Sequence, residues 1–162
     1  MQIRTGLGYD IHRLSAGETL ILGGVDIEHH KGTVAHSDGD VLLHAIADAL
    51  LGAIASKDIG YHFPDHAPQY RNADSLELLK ATYKMVIEKG FYLSNLDATI
   101  ALQSPKLKPH IAQMCENIAD ALKVDPNQIS VKATTTEKLG FVGHEEGIEA
   151  FATVLIQKRD EH

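Results

Sequence analysis

The sequence predicts a single domain of mixed helices and strands in which helices cover a sheet. Stretches with helical period at 40–55, at 75–89 and from Pro109 to about Leu122 alternate with strand-like stretches at 3–13, 91–103, 129–135 and 147–157. No repeat, low-complexity tract or long linker divides the 162 residues. That length suits one domain, 1–162, with a sizeable core.

Each element has its own signal. Residues 3–13 read as a strand with a glycine break. Leu20–Leu22 and Val25–Ile27 flank Gly23-Gly24, a hairpin signal. Between Asp40 and Ser56 every residue is apolar or glycine except His44 and Asp48, so that helix is buried nearly all round. Tyr61 to Asn72 reads as a polar loop with two prolines. Ser75 to Lys89 reads as a helix capped by Asp74 or Ser75. It carries Leu76, Leu79, Tyr83, Val86 and Ile87 on one face and stops at Gly90. Phe91 to Gln103 alternates, with Leu96, Ala98, Ile100 and Leu102 on one side and Asp97, Thr99 and Gln103 on the other, as in a half-buried strand. Pro109 opens the next helix at its first turn, where its missing N–H costs nothing. Ile129 to Thr135 and Gly147 to Gln157 read as strands. The last of these is apolar on both faces, with Phe151 and Leu155 opposite Ile148, Ala150, Ala152, Val154 and Ile156. Such a strand is either central in its sheet or covered by a second subunit.

Composition excludes several function classes. The net charge of −7 argues against non-specific binding to nucleic acid or to an anionic membrane surface. An anionic substrate would need local positive charge, from metal ions or a few lysines. The single cysteine, Cys115, rules out an intramolecular disulfide and a cysteine-type zinc site, and reads as a buried, inert thiol. Met1 to Asp10 shows neither an apolar leader core nor a transit pattern. The longest apolar run, Val41 to Ala55, is too short and too polar to span a membrane. The expected location is the cytoplasm.

Ten histidines are the unusual feature. His29, His30 and His162 sit in polar or terminal surroundings and read as solvated. Asp10 and His12 are two apart on a strand and share a face, which suits two ligands on one cation. His44 and Asp48 are four apart on the buried helix and stack on one side. Two polar groups there are costly unless both are satisfied. In one arrangement His44 binds a metal through one ring nitrogen and donates to Asp48 from the other. Asp10, His12 and His44 then form a three-ligand N/O set with an open position, the catalytic form of zinc site. In the other, His44 and Asp48 are an ordinary buried hydrogen-bonded pair and Asp10 caps a turn. The residues alone leave both open.

Three further segments have paired readings. His36-Ser37-Asp38-Gly39-Asp40 precedes the buried helix, where free N–H groups suit a phosphate; locally, capping by Ser37, Asp38 or Asp40 is favoured. Thr134 and Glu137 match a capping box. Alternatively, Glu137 holds Mg²⁺ and the threonines meet phosphate. Ser104-Pro105-Lys106-Leu107-Lys108-Pro109 is a stiff basic loop, either a solvated turn or a support for a nucleotide.

Taken together, these motifs closely resemble the 2-C-methyl-D-erythritol 2,4-cyclodiphosphate synthases. The resemblance rests on Gly8-Tyr9-Asp10-Ile11-His12, His36 to Asp40 with His44, Asp58-Ile59-Gly60 with Phe63-Pro64-Asp65, and Ala133 to Phe141. It covers essentially the whole chain in order. It implies an α+β fold, a mixed sheet with helices packed on one face, and sheets that form the core of a homotrimer with active sites between subunits. It implies zinc on Asp10, His12 and His44, and a second cation, Mg²⁺ or Mn²⁺, on Glu137. His36 and Thr135 match residues assigned to transition-state stabilisation. The erythritol-phosphate pocket would take Ser37, Asp58, Gly60, Phe63 and Asp65, and Asp10, His12, His36, Ile59 and Pro64 would also contact substrate. The cytidine and diphosphate pocket would take Leu102, Gln103, Ser104, Pro105, Lys106, Leu107 and Lys108, with Ala133, Thr134, Thr135, Thr136 and Glu137. Phe141 and His144 complete the set. His144 stands where many members carry Arg, and His is a weaker, pH-dependent anion partner. The expectation of an isoprenyl diphosphate on the trimer axis is correspondingly reduced.

The implied reaction is conversion of 4-diphosphocytidyl-2-C-methyl-D-erythritol 2-phosphate into a cyclic diphosphate and CMP. Its nucleophile is an already anionic phosphate oxygen, so catalysis reduces to positioning and charge neutralisation.

Overall fold

Alternation builds the longest strand, β1 (Ile3–Ala16), in which odd residues face outward and even residues face the core as far as Leu14. The structure is a computed structural model that describes residues 1–159. The hairpin β2 (Leu20–Leu22) and β3 (Val25–Ile27) follows, then β4 (Lys31–Val34), α1 (Val41–Ala53), α2 (Ile59–His62) and α3 (Ser75–Glu88). The chain continues through β5 (Phe91–Ala101), α4 (Ile111–Leu122), β6 (Ile129–Thr134), α5 (Gly140–Gly143) and β7 (Gly147–Lys158).

Five strands form one sheet in the order β4-β1-β7-β5-β6. β1 runs antiparallel to β4 and β7, β7 antiparallel to β5, and β5 parallel to β6. The fold is therefore α+β with a mixed sheet. Asp10, Ala150, Ile100 and Ala133 lie in one row across it. The inner face carries Ile148, Ala150, Ala152, Val154 and Ile156, all buried beneath the helices. β7 is central, as one of its two readings required.

The two glycines expected to break β1 do not interrupt it. They are the seat of α1. A Cβ on Gly6 would run into the carbonyl oxygen of Ala49, and a Cβ on Gly8 into that of Ala45. Their missing side chains let the helix backbone lie directly on the strand. α1 is buried along nearly its whole length, with only Asp48 and Gly52 reaching partial or full exposure. Asp40 caps it by accepting from Leu43 N–H (3.1 Å), and also accepts from Gly23 and Gly24 N–H, which ties the hairpin to the helix start.

Several local expectations need correction. β4 was not foreseen, because Lys31-Gly32-Thr33-Val34 lacks apolar alternation. The polar loop after Tyr61 overlaps α2 and contains a 3-10 turn at Pro68–Tyr70. Pro109 sits in a 3-10 turn, Lys108–His110, and α4 begins only at Ile111. The buried stripe of α3 is Ser75, Leu79, Thr82 and Val86, rotated from the predicted face, while Leu76, Tyr83 and Ile87 are half-buried. The Thr134–Glu137 capping box does not form: Thr134 donates to the Thr135 carbonyl, and Glu137 and Lys138 adopt left-handed φ of 54° and 63°. Cys115 is half-buried rather than buried. Among the described residues, no helix is long and apolar enough to cross a membrane.

Candidate metal centre and ligand cavities

The packing of α1 on Gly6 and Gly8 brings His44 over the inner face of β1, where Asp10 and His12 point. One ligand atom from each of Asp10, His12 and His44 lies within 4.8 Å of the others. His44 Nδ1 stands 3.0 Å from Asp10 Oδ2, and His12 Nδ1 stands 3.2 Å from the same oxygen. His12 Nδ1 is buried and makes no hydrogen bond. Two imidazole nitrogens thus converge on one carboxylate, and one of them has no partner. That is the donor set a divalent cation satisfies, so these residues fit a metal.

The electrostatics agree. Burial pushes the Asp10 carboxyl up, but the His12 and His44 imidazoles pull it the other way, down to about 2. Burial pushes the His44 imidazole down, and the hydrogen bond that its protonated ring makes to Asp10 more than reverses this, leaving it above its ordinary range.

The partner expected behind His44 is a different one. Asp48 accepts from Ile59 N–H (2.8 Å) and so pins the start of α2; burial holds its carboxyl up. The far nitrogen of His44, Nε2, lies 2.9 Å from Ser75 Oγ and 3.3 Å from Ser37 Oγ. Ser75 in turn donates its hydroxyl and its N–H to Asp38. The sequence carried no signal for this role of Ser75, which read as a helix cap; only the structure places it in the buried stripe of α3, where a hydroxyl needs a partner.

The triad opens into a cavity of about 370 Å³ lined also by His36, Ser37, Ile59, Gly60, Phe63 and Asp65. Asp58 and Pro64 adjoin it in the chain but do not line it; Asp58 caps α2 by accepting from Tyr61 N–H (2.9 Å). Arg13, Tyr70 and Leu78 line it too, and sequence reasoning missed them. A second cavity, about 430 Å³, is lined by Leu102, Gln103, Pro105, Lys106, Leu107, Lys108, Ala133, Thr134 and Thr135, with Ile111 and Lys132 unforeseen. Ser104, Thr136 and Glu137 adjoin it. Gln103 Oε1 accepts from Lys138 N–H, and Thr135 Oγ1 from Glu137 N–H. The two cavities share no lining residue. β1 and β6 are three strand spacings apart, about 14 Å.

Phe141 and His144 lie at α5, both exposed and outside these cavities. His30 is exposed as expected. His29 is half-buried with Nε2 unpartnered, so it is not simply solvated. His162 lies outside the described residues.

Fold and site define a class: an α+β protein with a half-buried three-residue set, fit to hold a metal, open to a ligand cavity. The model of the YgbB family matches residues 3–157, and the chain belongs to that family. A Bacteroides fragilis relative named 2-C-methyl-D-erythritol 2,4-cyclodiphosphate synthase is 55% identical over 158 residues, 98% of this chain and 99% of its own length. Among solved structures, the bifunctional IspDF of Campylobacter jejuni is 47% identical with a TM-score of 0.94. The match covers 98% of this chain, which spans only 43% of that longer one. The IspF of Plasmodium falciparum in a CDP complex is 37% identical with a TM-score of 0.87, over 98% of this chain and 97% of its own.

Proposed function

We propose that this chain converts 4-diphosphocytidyl-2-C-methyl-D-erythritol 2-phosphate into 2-C-methyl-D-erythritol 2,4-cyclodiphosphate and CMP, in the non-mevalonate route to isoprenoids. The observation that carries the reading is the Asp10–His12–His44 cluster at the floor of a cavity lined by His36, Ser37, Gly60, Phe63 and Asp65. An oxygen of the 2-phosphate attacks the β-phosphorus. The bond from that phosphorus to the bridging oxygen breaks, and CMP departs with the electron pair. The attacking group is already anionic, so no side chain need act as nucleophile or strong base.

Asp10, His12 and His44 would hold zinc, and Glu137 the second cation, Mg²⁺ or Mn²⁺; when bound, these ions supply positive charge that aligns and polarises the phosphates. The chain's own residues do the rest. Ser37, Ile59, Gly60, Phe63 and Asp65 hold the erythritol phosphate, with Asp58 and Pro64 beside them in the chain. Leu102 to Lys108 and Ala133 to Glu137 hold the cytidine and diphosphate, with Lys106 and Lys108 offsetting its charge. His36 and Thr135 donate to oxygens whose charge grows in the transition state.

One substrate must reach both cavities, yet in one protomer they share no residue. A homotrimer that sets one protomer's second cavity beside its neighbour's metal centre resolves this. The outer sheet face supports it: Leu7 is 69% exposed, and Tyr9, Ile11 and Phe151 are over 40% exposed around it. The whole chain, 1–162, acts as one such domain, placed in the cytoplasm. The test is turnover with Zn²⁺ and Mg²⁺: release of CMP with a cyclic diphosphate supports the reading, and an open bisphosphate refutes it.

A further inference from the structure

We propose that Ser75 and Asp38 are positioning residues that fix the tautomer of His44, so that its Nδ1 lone pair is presented to the metal. The inference rests on the metal centre proposed above and goes beyond it to two residues outside the ligand set.

The reasoning is a proton count. Asp38 Oδ1 accepts from Asp40 N–H (3.1 Å), and Oδ2 from Ser75 N–H (2.8 Å). With backbone donors on both oxygens, the carboxylate offers the Ser75 hydroxyl lone pairs only. The hydroxyl therefore spends its one proton on Asp38 Oδ1 and turns its own lone pairs outward. His44 Nε2 lies 2.9 Å away and must supply the proton of that contact. Nε2 then carries hydrogen, and Nδ1 of the neutral ring carries none. That bare nitrogen faces Asp10 Oδ2 at 3.0 Å. Two lone-pair atoms held that close leave a place that a cation fills.

The relay is built where it cannot relax. Ser75 is fully buried at the first position of α3, and His44 is buried in α1. Asp38 also sits in the turn that leads to the Asp40 cap. Metal-bound histidines are commonly oriented in this way by a partner on the other nitrogen. Here that partner lies 31 residues away in sequence, on the helix that follows the cavity loop.

The test uses the metal-free full-length protein, Ser75→Ala and Asp38→Asn, with ¹⁵N-histidine NMR in alkaline buffer and zinc titration against a chelating dye. In the native protein the neutral His44 ring is expected to carry its proton on Nε2. In Ser75→Ala it is expected to move to Nδ1, toward Asp10, with zinc affinity falling about 10- to 100-fold. Asp38→Asn is expected to weaken zinc in the same direction, and decides the matter if Ser75→Ala does not fold. A native ring protonated on Nδ1 would overturn the proposal, as would unchanged zinc affinity in the folded variants. If the native protein bound no zinc at all, the metal centre itself would fall, while the tautomer would still report on the relay.

Discussion

Gly8→Ala puts one methyl group into the contact on which the metal centre depends. Its Cβ would overlap the Ala45 carbonyl; the carbonyl is backbone and a methyl group has no rotamer to change, so nothing short of a backbone shift relieves it. Regaining ordinary non-bonded contact requires α1 to withdraw by about 1.5 Å. His44 is the residue before Ala45 and moves with it. Its Nδ1 is set 3.0 Å from Asp10 Oδ2, and metal–ligand distances tolerate only about 0.2 Å. Overpacking of this kind costs about 1–3 kcal/mol, so the fold survives with a melting temperature lower by roughly 2–12 °C. Zinc affinity is expected to drop by more than about tenfold. Gly6→Ala strains the same contact one helical turn farther on, at Ala49, and should cost similar stability with less effect on zinc. Gly52→Ala is the control. Its Cβ would meet only the Leu7 carbonyl at 3.9 Å, and alanine there should stabilise the helix by about 0.5–1 kcal/mol with zinc binding unchanged. Thermal melts and zinc titration of the three variants check this. Wild-type zinc affinity in Gly8→Ala would refute the claim that these glycines set the site.

Other outcomes follow from the same geometry. His44→Ala should lose zinc and activity together while the fold survives in part; full zinc occupancy by metal analysis would reject His44 as a ligand. Stability of the metal-free protein should depend on pH through the Asp10–His44 pair. Asp10 is lowered from 3.8 to about 2, so its contribution is present above pH 3.8 and lost as pH falls through about 2. His44 is raised from 6.5, so its contribution is present below that value and lost as pH rises through the raised one. The increase in melting temperature on adding zinc should therefore grow with pH as the competing proton leaves, and a pH-independent increase would contradict it. The proposed trimer is tested by Leu7→Asp on the open sheet face, which should leave a monomer in sedimentation and abolish turnover; an active trimer would disprove the interface.

Much of this was legible in the sequence, for identifiable reasons. β1, β5 and α3 declared themselves because each has one buried face, and burial writes its period into the residues; α1 declared itself by its near-continuous apolar run. The same logic exposed His44, a polar residue in a helix with no polar side. What escaped reading depends on contacts between distant segments. Gly6 and Gly8 look like a break until the helix that lies on them is known. Asp48 is correctly spaced to support His44, yet its oxygen turns to Ile59 because α2 brings an unpaired N–H within reach. Ser75 passes for a cap because Asp74 beside it is one, and only the tertiary fold aims its hydroxyl at His44. β4 is held by pairing with β1 and carries no period of its own.

The most direct test is to supply the purified protein with Zn²⁺, Mg²⁺ and 4-diphosphocytidyl-2-C-methyl-D-erythritol 2-phosphate and follow the products by phosphorus NMR. CMP appearing in step with a cyclic diphosphate is the expected result. CMP with an open-chain bisphosphate, or no turnover by a zinc-loaded protein, would contradict it.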